Sequence, residues 1–234
     1  MSSQSLADIL EKNQEQFAAV TPYDLNKENV VIFDLTSKNE QLNQLDLNDE
    51  EAFTNYIFDR LKNNKVDVGI GKYDEDRQIY KRSEVFSGSK VRSIHLGIDI
   101  WAVNGTPVFA PLPGKVHSFK NNNAHADYGP TIILQHELEG IQFFTLYGHL
   151  SVQSLGDKTI GQEVGKGEQI ATLGSYEENV HWPPHLHFQV IDNMDNHFGD
   201  YPGVAAKSDR YKYIKHCPDP NLILGIKALN KTVS

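Results

Sequence analysis

Apolar positions change their rhythm once along this chain. Between residues 5 and 20, Leu6, Ile9, Leu10, Phe17 and Val20 recur at roughly helical spacing, which predicts an amphipathic helix with Ser5 as N-cap and Asp8 in its first turn. Thr21-Pro22 is the expected stop. Val30-Val31-Ile32-Phe33 reads as a short buried strand, and Phe53, Tyr56, Ile57 and Leu61 give a second helix from Asp49 to Leu61. From about Lys90 the rhythm becomes that of short strands separated by turns. The predicted strands are Pro107–Ala110, Lys115–Phe119, Thr131–Gln135, Gln142–Tyr147, Gln169–Leu173 and Leu186–Ile191. Between them stand Gly105, Pro113-Gly114, Gly129-Pro130, Gly140, Gly165-Lys-Gly167 and Gly174. The pattern predicts a mainly β, α+β protein with an antiparallel core. Its expected parts are an N-terminal α/β accessory segment over 1–85, a β domain over 86–200 and a C-terminal extension over 201–234 packed on that core.

Composition narrows the function. A chain of 234 residues with 39% apolar content can bury a full core. The net charge is −9, and acidic residues outnumber basic ones on both sides of residue 94, so no basic face for nucleic acid is expected. The single cysteine, Cys217, excludes an intramolecular disulfide, and a buried neutral thiol is its expected state. No stretch approaches the roughly 18 apolar residues of a membrane span, and the first residues lack the features of an export signal. The expectation is a cytoplasmic protein without a membrane partner.

All ten histidines lie at or after position 95, so the chemistry is expected in the second part. His95-Leu-Gly-Ile-Asp99, Tyr147-Gly-His149-Leu150 and His185-Leu-His187 supply four imidazoles and one carboxylate. His185 and His187, two apart in a strand, share one face. His95 and Asp99 would lie about 13 Å apart in a fully extended strand, which is awkward for two ligands of one ion, and Gly97 between them allows the backbone to bend. A hydrolytic zinc site takes three such ligands and keeps a fourth position open, which leaves two imidazoles for acid and base work.

These motifs, with Gly105-Thr-Pro-Val-Phe-Ala110, Gly114-Lys-Val116, Tyr128-Gly129, the Gly161/Gly165/Gly167/Gly174 turn series and Phe188 after the histidine pair, resemble the LytM and lysostaphin type of zinc metalloendopeptidase over about residues 90–192. The resemblance implies an antiparallel lysostaphin-like, duplicated-hybrid-motif core and one Zn²⁺ per chain on His95, Asp99 and His187. It makes His149 and His185 the catalytic imidazoles and implies a peptide substrate, Gly/Ala-rich or cell-wall-like. Relatives with inactive sites act as binding or scaffold modules, and a phosphocarrier of the same fold class uses paired histidines. Five intact positions weigh against the first, and Asp99 beside His95 against the second.

Other residues carry weaker expectations. Gln189 stands where many relatives place Glu, and is expected to orient a ligand by hydrogen bonding. His117, His125, His136, His197 and His216 are expected on the surface or in packing, His181 in a solvated loop, and Tyr147 in the core. Asp74, Glu75 and Asp76, just ahead of the β domain, are expected in an exposed acidic turn, with covering of a cationic groove and partial latency as the alternative.

Overall fold

The computed structural model describes residues 4–26, 30–47, 49–82, 91–124 and 127–230. His125 and the expected boundary at residue 85 lie outside the described residues. Helix α1, Leu6–Lys12, begins as expected at Ser5, whose hydroxyl accepts the Asp8 N–H while the Asp8 carboxylate accepts the Ser5 N–H. It ends at Asn13, earlier than the apolar spacing predicts. Residues 18–20 run on as extended chain against the strand at 107–109, with Ala18 N–H bonded to the Pro111 carbonyl and Phe109 N–H to that of Val20. Burial of Val20 is thus achieved without helix.

The remaining elements are β1 (Val31–Phe33), α2 (Glu40–Asn43), α3 (Glu50–Asn64), β2 (Gly69–Gly71), β3 (Arg92–His95), β4 (Ile98–Trp101), β5 (Pro107–Phe109), β6 (Gly114–Asn122), β7 (Gly129–Leu138), β8 (Ile141–Gly148), β9 (Glu163–Val164), β10 (Gln169–Thr172), β11 (His185–Ile191), β12 (Val204–Ala206), α4 (Arg210–His216) and α5 (Asn221–Leu224). Helix α3 is capped by the Asp49 carboxylate, which accepts two N–H groups, and closes on Lys65 in the left-handed region. The strand predicted at Val30–Phe33 and the six predicted after Lys90 are all present.

Eight strands form one sheet in the order β1-β2-β4-β11-β8-β7-β6-β9, antiparallel except for β1 with β2. Strands β3 and β12 pair separately, as do β5 and β10. One face of the large sheet carries Ile98, Ile100, Tyr147, Leu186, Phe188 and Val190 into the main core, joined by Leu10 from α1 and by Ile223 and Ile226 near the C-terminus. On the opposite face Trp101 packs into a second cluster with Phe33, Phe53, Ile57, Leu61 and Trp182. The N-terminal strands therefore extend the sheet that carries the histidines. Among the described residues no helix is long and apolar enough to cross a membrane.

Candidate metal centre and groove

Register across four strands builds the site. Gly71 of β2, Asp99 of β4, His187 of β11 and Gly148 of β8 stand in one row, and Gly69, Trp101 and His185 form the next row on the same face. Strand alternation sends their neighbours into the main core, so one sequence pattern fills the interior and arms the surface. Two glycines make room. A Cβ on Gly71 would come within 2.7 Å of Arg77 Nη2, and one on Gly97 within 2.6 Å of His187 Nε2. The chain leaves β3 after His95 and enters the large sheet at Ile98, which supplies the bend that brings His95 against Asp99.

Three ligand atoms converge. His95 Nε2 lies 3.0 Å from His187 Nδ1, and Asp99 Oδ1 lies 3.2 Å from the first and 3.3 Å from the second. His95 Nδ1 donates to the Lys72 carbonyl at 2.9 Å, which leaves Nε2 of the neutral ring with a lone pair. His187 Nε2 donates to Gln189 Oε1 at 2.9 Å, and that amide is oriented because its nitrogen donates to the Pro202 carbonyl. Lone pairs from two neutral rings thus face one carboxylate oxygen, itself buried and without a hydrogen-bond donor. Such a knot of acceptors asks for a cation. Ligands about 2.0–2.1 Å from a tetrahedral ion stand about 3.3–3.4 Å apart, close to the observed spacings. The donor set fits a zinc ion.

Burial, aided by the Arg77 guanidinium, pushes the His95 imidazole down to about 3, so the ring is neutral as ligation requires. Burial opposes the Asp99 charge, but the Arg77 guanidinium beside it outweighs burial and holds the carboxyl well below the usual range. Arg77 donates to Asp99 Oδ2 and leaves Oδ1 to the cluster.

His185 and His149 stand beside the three. His185 Nδ1 donates to the Pro183 carbonyl at 2.7 Å, and its Nε2 faces Asp99 Oδ1 at 3.8 Å. Burial lowers this imidazole to about 4. By alternation along β8, His149 belongs on the core face with Tyr147. Its left-handed backbone, φ 64°, turns the side chain back, and its ring lies 4.0 Å from that of His185. Burial, then the neighbouring His185 and His187, lower its pKa. Its Nδ1 is buried, and the Asn179 side chain stands beside the ring as its hydrogen-bonding neighbour.

The groove over these residues is lined by Tyr80, Trp101 and Trp182 on one side and by Tyr128, Asp200 and Tyr201 on the other. His197, expected as a surface or packing residue, is exposed and also lines it. His181 is exposed, stacks on Tyr176 and is absent from the lining. Tyr147 packs on Phe188, as expected. Burial pushes the Cys217 thiol up to about 12, which keeps it neutral. His136 is buried between the Pro113 carbonyl and the Thr145 hydroxyl, and His216 pairs with Asp192.

The acidic run before the β domain does not face the cluster. Asp74 pairs with Arg210, Asp76 with Lys207, and Glu75 with Lys72 and Arg77. The residue it sends to the site is Arg77, which sequence reasoning missed because one arginine after three acidic residues reads as an ordinary solvated turn. Trp101, the cross-strand partner of His185, and Asn179, beside His149, belong to no motif and were missed too.

Fold and site together present an antiparallel β-sheet that carries a buried cluster of two imidazoles and one carboxylate. Residues 93–198 match the model of peptidase family M23, and this segment is of the LytM and lysostaphin type. It is 36% identical over 99 residues to an uncharacterized metalloprotease of Haemophilus influenzae, covering 42% of this chain and 19% of that protein. It is 35% identical over 100 residues to the DD-carboxypeptidase/endopeptidase Mpg of Neisseria meningitidis, covering 43% of this chain and 20% of that protein. The chain thus spans about a fifth of the length of these relatives. Among solved structures, the catalytic domain of lysostaphin from Staphylococcus simulans aligns over 51% of this chain and 80% of its own, with 25% identity and a TM-score of 0.36.

Proposed function

We propose that this chain is a zinc-dependent endopeptidase in which His95, Asp99 and His187 hold one ion, and His149 and His185 handle protons. The observation that carries this reading is the convergence of His95 Nε2, His187 Nδ1 and Asp99 Oδ1, with the outer nitrogens of both rings already donating. A zinc ion in such a cage polarises a peptide carbonyl and acidifies water at its open position.

The remaining work belongs to the protein. His185 keeps Nε2 unprotonated, because Nδ1 is committed to Pro183, and so offers a base on the open side of the cluster. The groove admits an extended peptide between its aromatic and polar walls, with the scissile bond over the two imidazoles. His149, whose ring lies 4.0 Å from that of His185 with Asn179 beside it, is placed to hydrogen-bond the oxyanion as it forms or to pass a proton to the leaving amine. Cell-wall-like and Gly- or Ala-rich peptides are the proposed substrates, and the name of the Neisseria relative, a DD-carboxypeptidase/endopeptidase, supports a peptide substrate.

Elemental analysis and turnover on peptidoglycan stem and bridge peptides test the proposal together. The expected result is about one zinc per chain, with cleavage lost to a chelator and restored by zinc. Protein that takes up no stoichiometric metal after incubation with zinc would overturn it.

A further inference from the structure

Arg77 lies sixteen residues ahead of the matched peptidase segment, yet its guanidinium ends at the metal cluster. Every arm of it is engaged. Nε donates to Glu75 Oε2 at 3.1 Å, Nη1 to Asp99 Oδ2 and to the Tyr80 hydroxyl at 3.1 Å, and Nη2 to the Lys72 carbonyl at 3.2 Å. The side chain is 1% exposed. Its backbone is fixed as well, since Arg77 N–H bonds to the Ser93 carbonyl, and just ahead of it Asp74 N–H bonds to the His95 carbonyl and His95 N–H to that of Glu75. The chain from Lys72 to Arg77 is therefore laced to β3, the strand that ends at His95, and Gly71 leaves the space that the guanidinium fills.

A carboxylate has two oxygens and can turn either one or both toward a cation. Here one is taken. We propose that Arg77 is a positioning residue of the metal centre: by binding Oδ2 it presents Asp99 to the ion through Oδ1 alone, so the N-terminal segment, not the peptidase segment, sets how the carboxylate coordinates. The inference rests on the proposed metal reading of His95, Asp99 and His187. Four charges, Lys72 and Arg77 against Glu75 and Asp99, balance before any ion arrives. Removing Arg77 leaves Asp99 Oδ2 without its donor and free to rotate inward. Outer partners of metal ligands commonly change affinity by about 10–100-fold.

The test uses the full chain with zinc and, separately, with Co²⁺ as a spectroscopic probe, whose visible absorption is strong in four-coordinate sites and weak when more ligands bind. In R77M, zinc affinity measured against a competing chelator should fall about 10-fold or more. The Co²⁺ bands should weaken as Asp99 turns both oxygens to the ion, and R77K, which keeps the charge but not the fork, should lie between. Circular dichroism and gel filtration report folding. A folded R77M with wild-type zinc affinity and cobalt spectrum would overturn the proposal; if R77M does not fold, R77K with both wild-type properties does so. Failure of the wild-type protein to bind either metal would instead overturn the metal reading itself.

Discussion

The imidazole of His185 stacks on the indole of Trp101, with ring centroids 4.1 Å apart and planes inclined by 25°. The two residues are direct partners across β4 and β11. Trp101 is in turn held edge-on by Phe53 of α3 at 5.8 Å and by Phe33 of β1 at 6.4 Å, so the N-terminal segment buttresses a proposed catalytic ring. Trp101→Leu removes the platform without touching a metal ligand. Zinc content should stay near wild type while kcat falls about 10–100-fold, because a small displacement of a reacting group is costly. Stability should drop by about 2–4 kcal/mol from the cavity left behind. Metal analysis, thermal melting and steady-state kinetics on one preparation separate these effects, and an unchanged kcat in the destabilised variant would leave Trp101 a packing residue.

Ligands and proton carriers should separate cleanly on mutation. His187→Ala removes one of three converging atoms, and metal and turnover should be lost together. His149→Ala and His185→Ala should keep the metal and lose most turnover, about 10²–10⁴-fold, with the double variant little worse than either single one. Zinc stoichiometry beside peptide cleavage for all four proteins is the measurement. Loss of zinc in His185→Ala with retention in His187→Ala would reverse the assignment within the pair.

Much of this was legible because strands repeat every two residues. The period of His185 and His187 predicted a shared face, and the six strands followed from alternation and turn residues. The awkward extended spacing of His95 and Asp99 made Gly97 a place where the backbone could bend, and the chain does pass between two sheets there. Other features have no local signal. The left-handed backbone of His149 reverses the face that its strand position implies. Arg77 reaches Asp99 only because β2 and the segment after it pack beside β4 and β3, which is a property of the whole sheet. The early end of α1 likewise reflects extended contacts that replaced helical ones.

His136 should make the protein sensitive to acid. Burial lowers this imidazole to about 4, partly offset by the Pro113 carbonyl, whereas an exposed histidine titrates near 6.5. Between those values the unfolded chain binds a proton that the folded one refuses. Stability is therefore complete above about pH 6.5 and declines as pH falls toward 4, by about 3 kcal/mol from this group alone. Urea midpoints between pH 4 and 7, taken in chelator so that metal loss does not contribute, should show a shallower decline for His136→Gln than for wild type. Parallel curves would remove His136 as a cause.

Removing residues 1–82 should impair the protein, not release it. The acidic residues that would have covered a cationic groove are paired with Lys72, Arg77, Lys207 and Arg210, so the segment withholds nothing from the cluster. What it supplies is structural. Gly69–Gly71 satisfies the edge of β4, the strand that carries Asp99, and its loss would expose unpaired backbone and invite edge-to-edge association. Phe33 and Phe53 would no longer cover Trp101, and Arg77 would no longer hold Asp99. Soluble yield, gel filtration and cleavage per bound zinc give the comparison. The truncated protein should associate or precipitate, and any monomer should cleave more slowly than the full chain. A soluble monomer with raised activity per zinc would show that the segment restrains the groove after all.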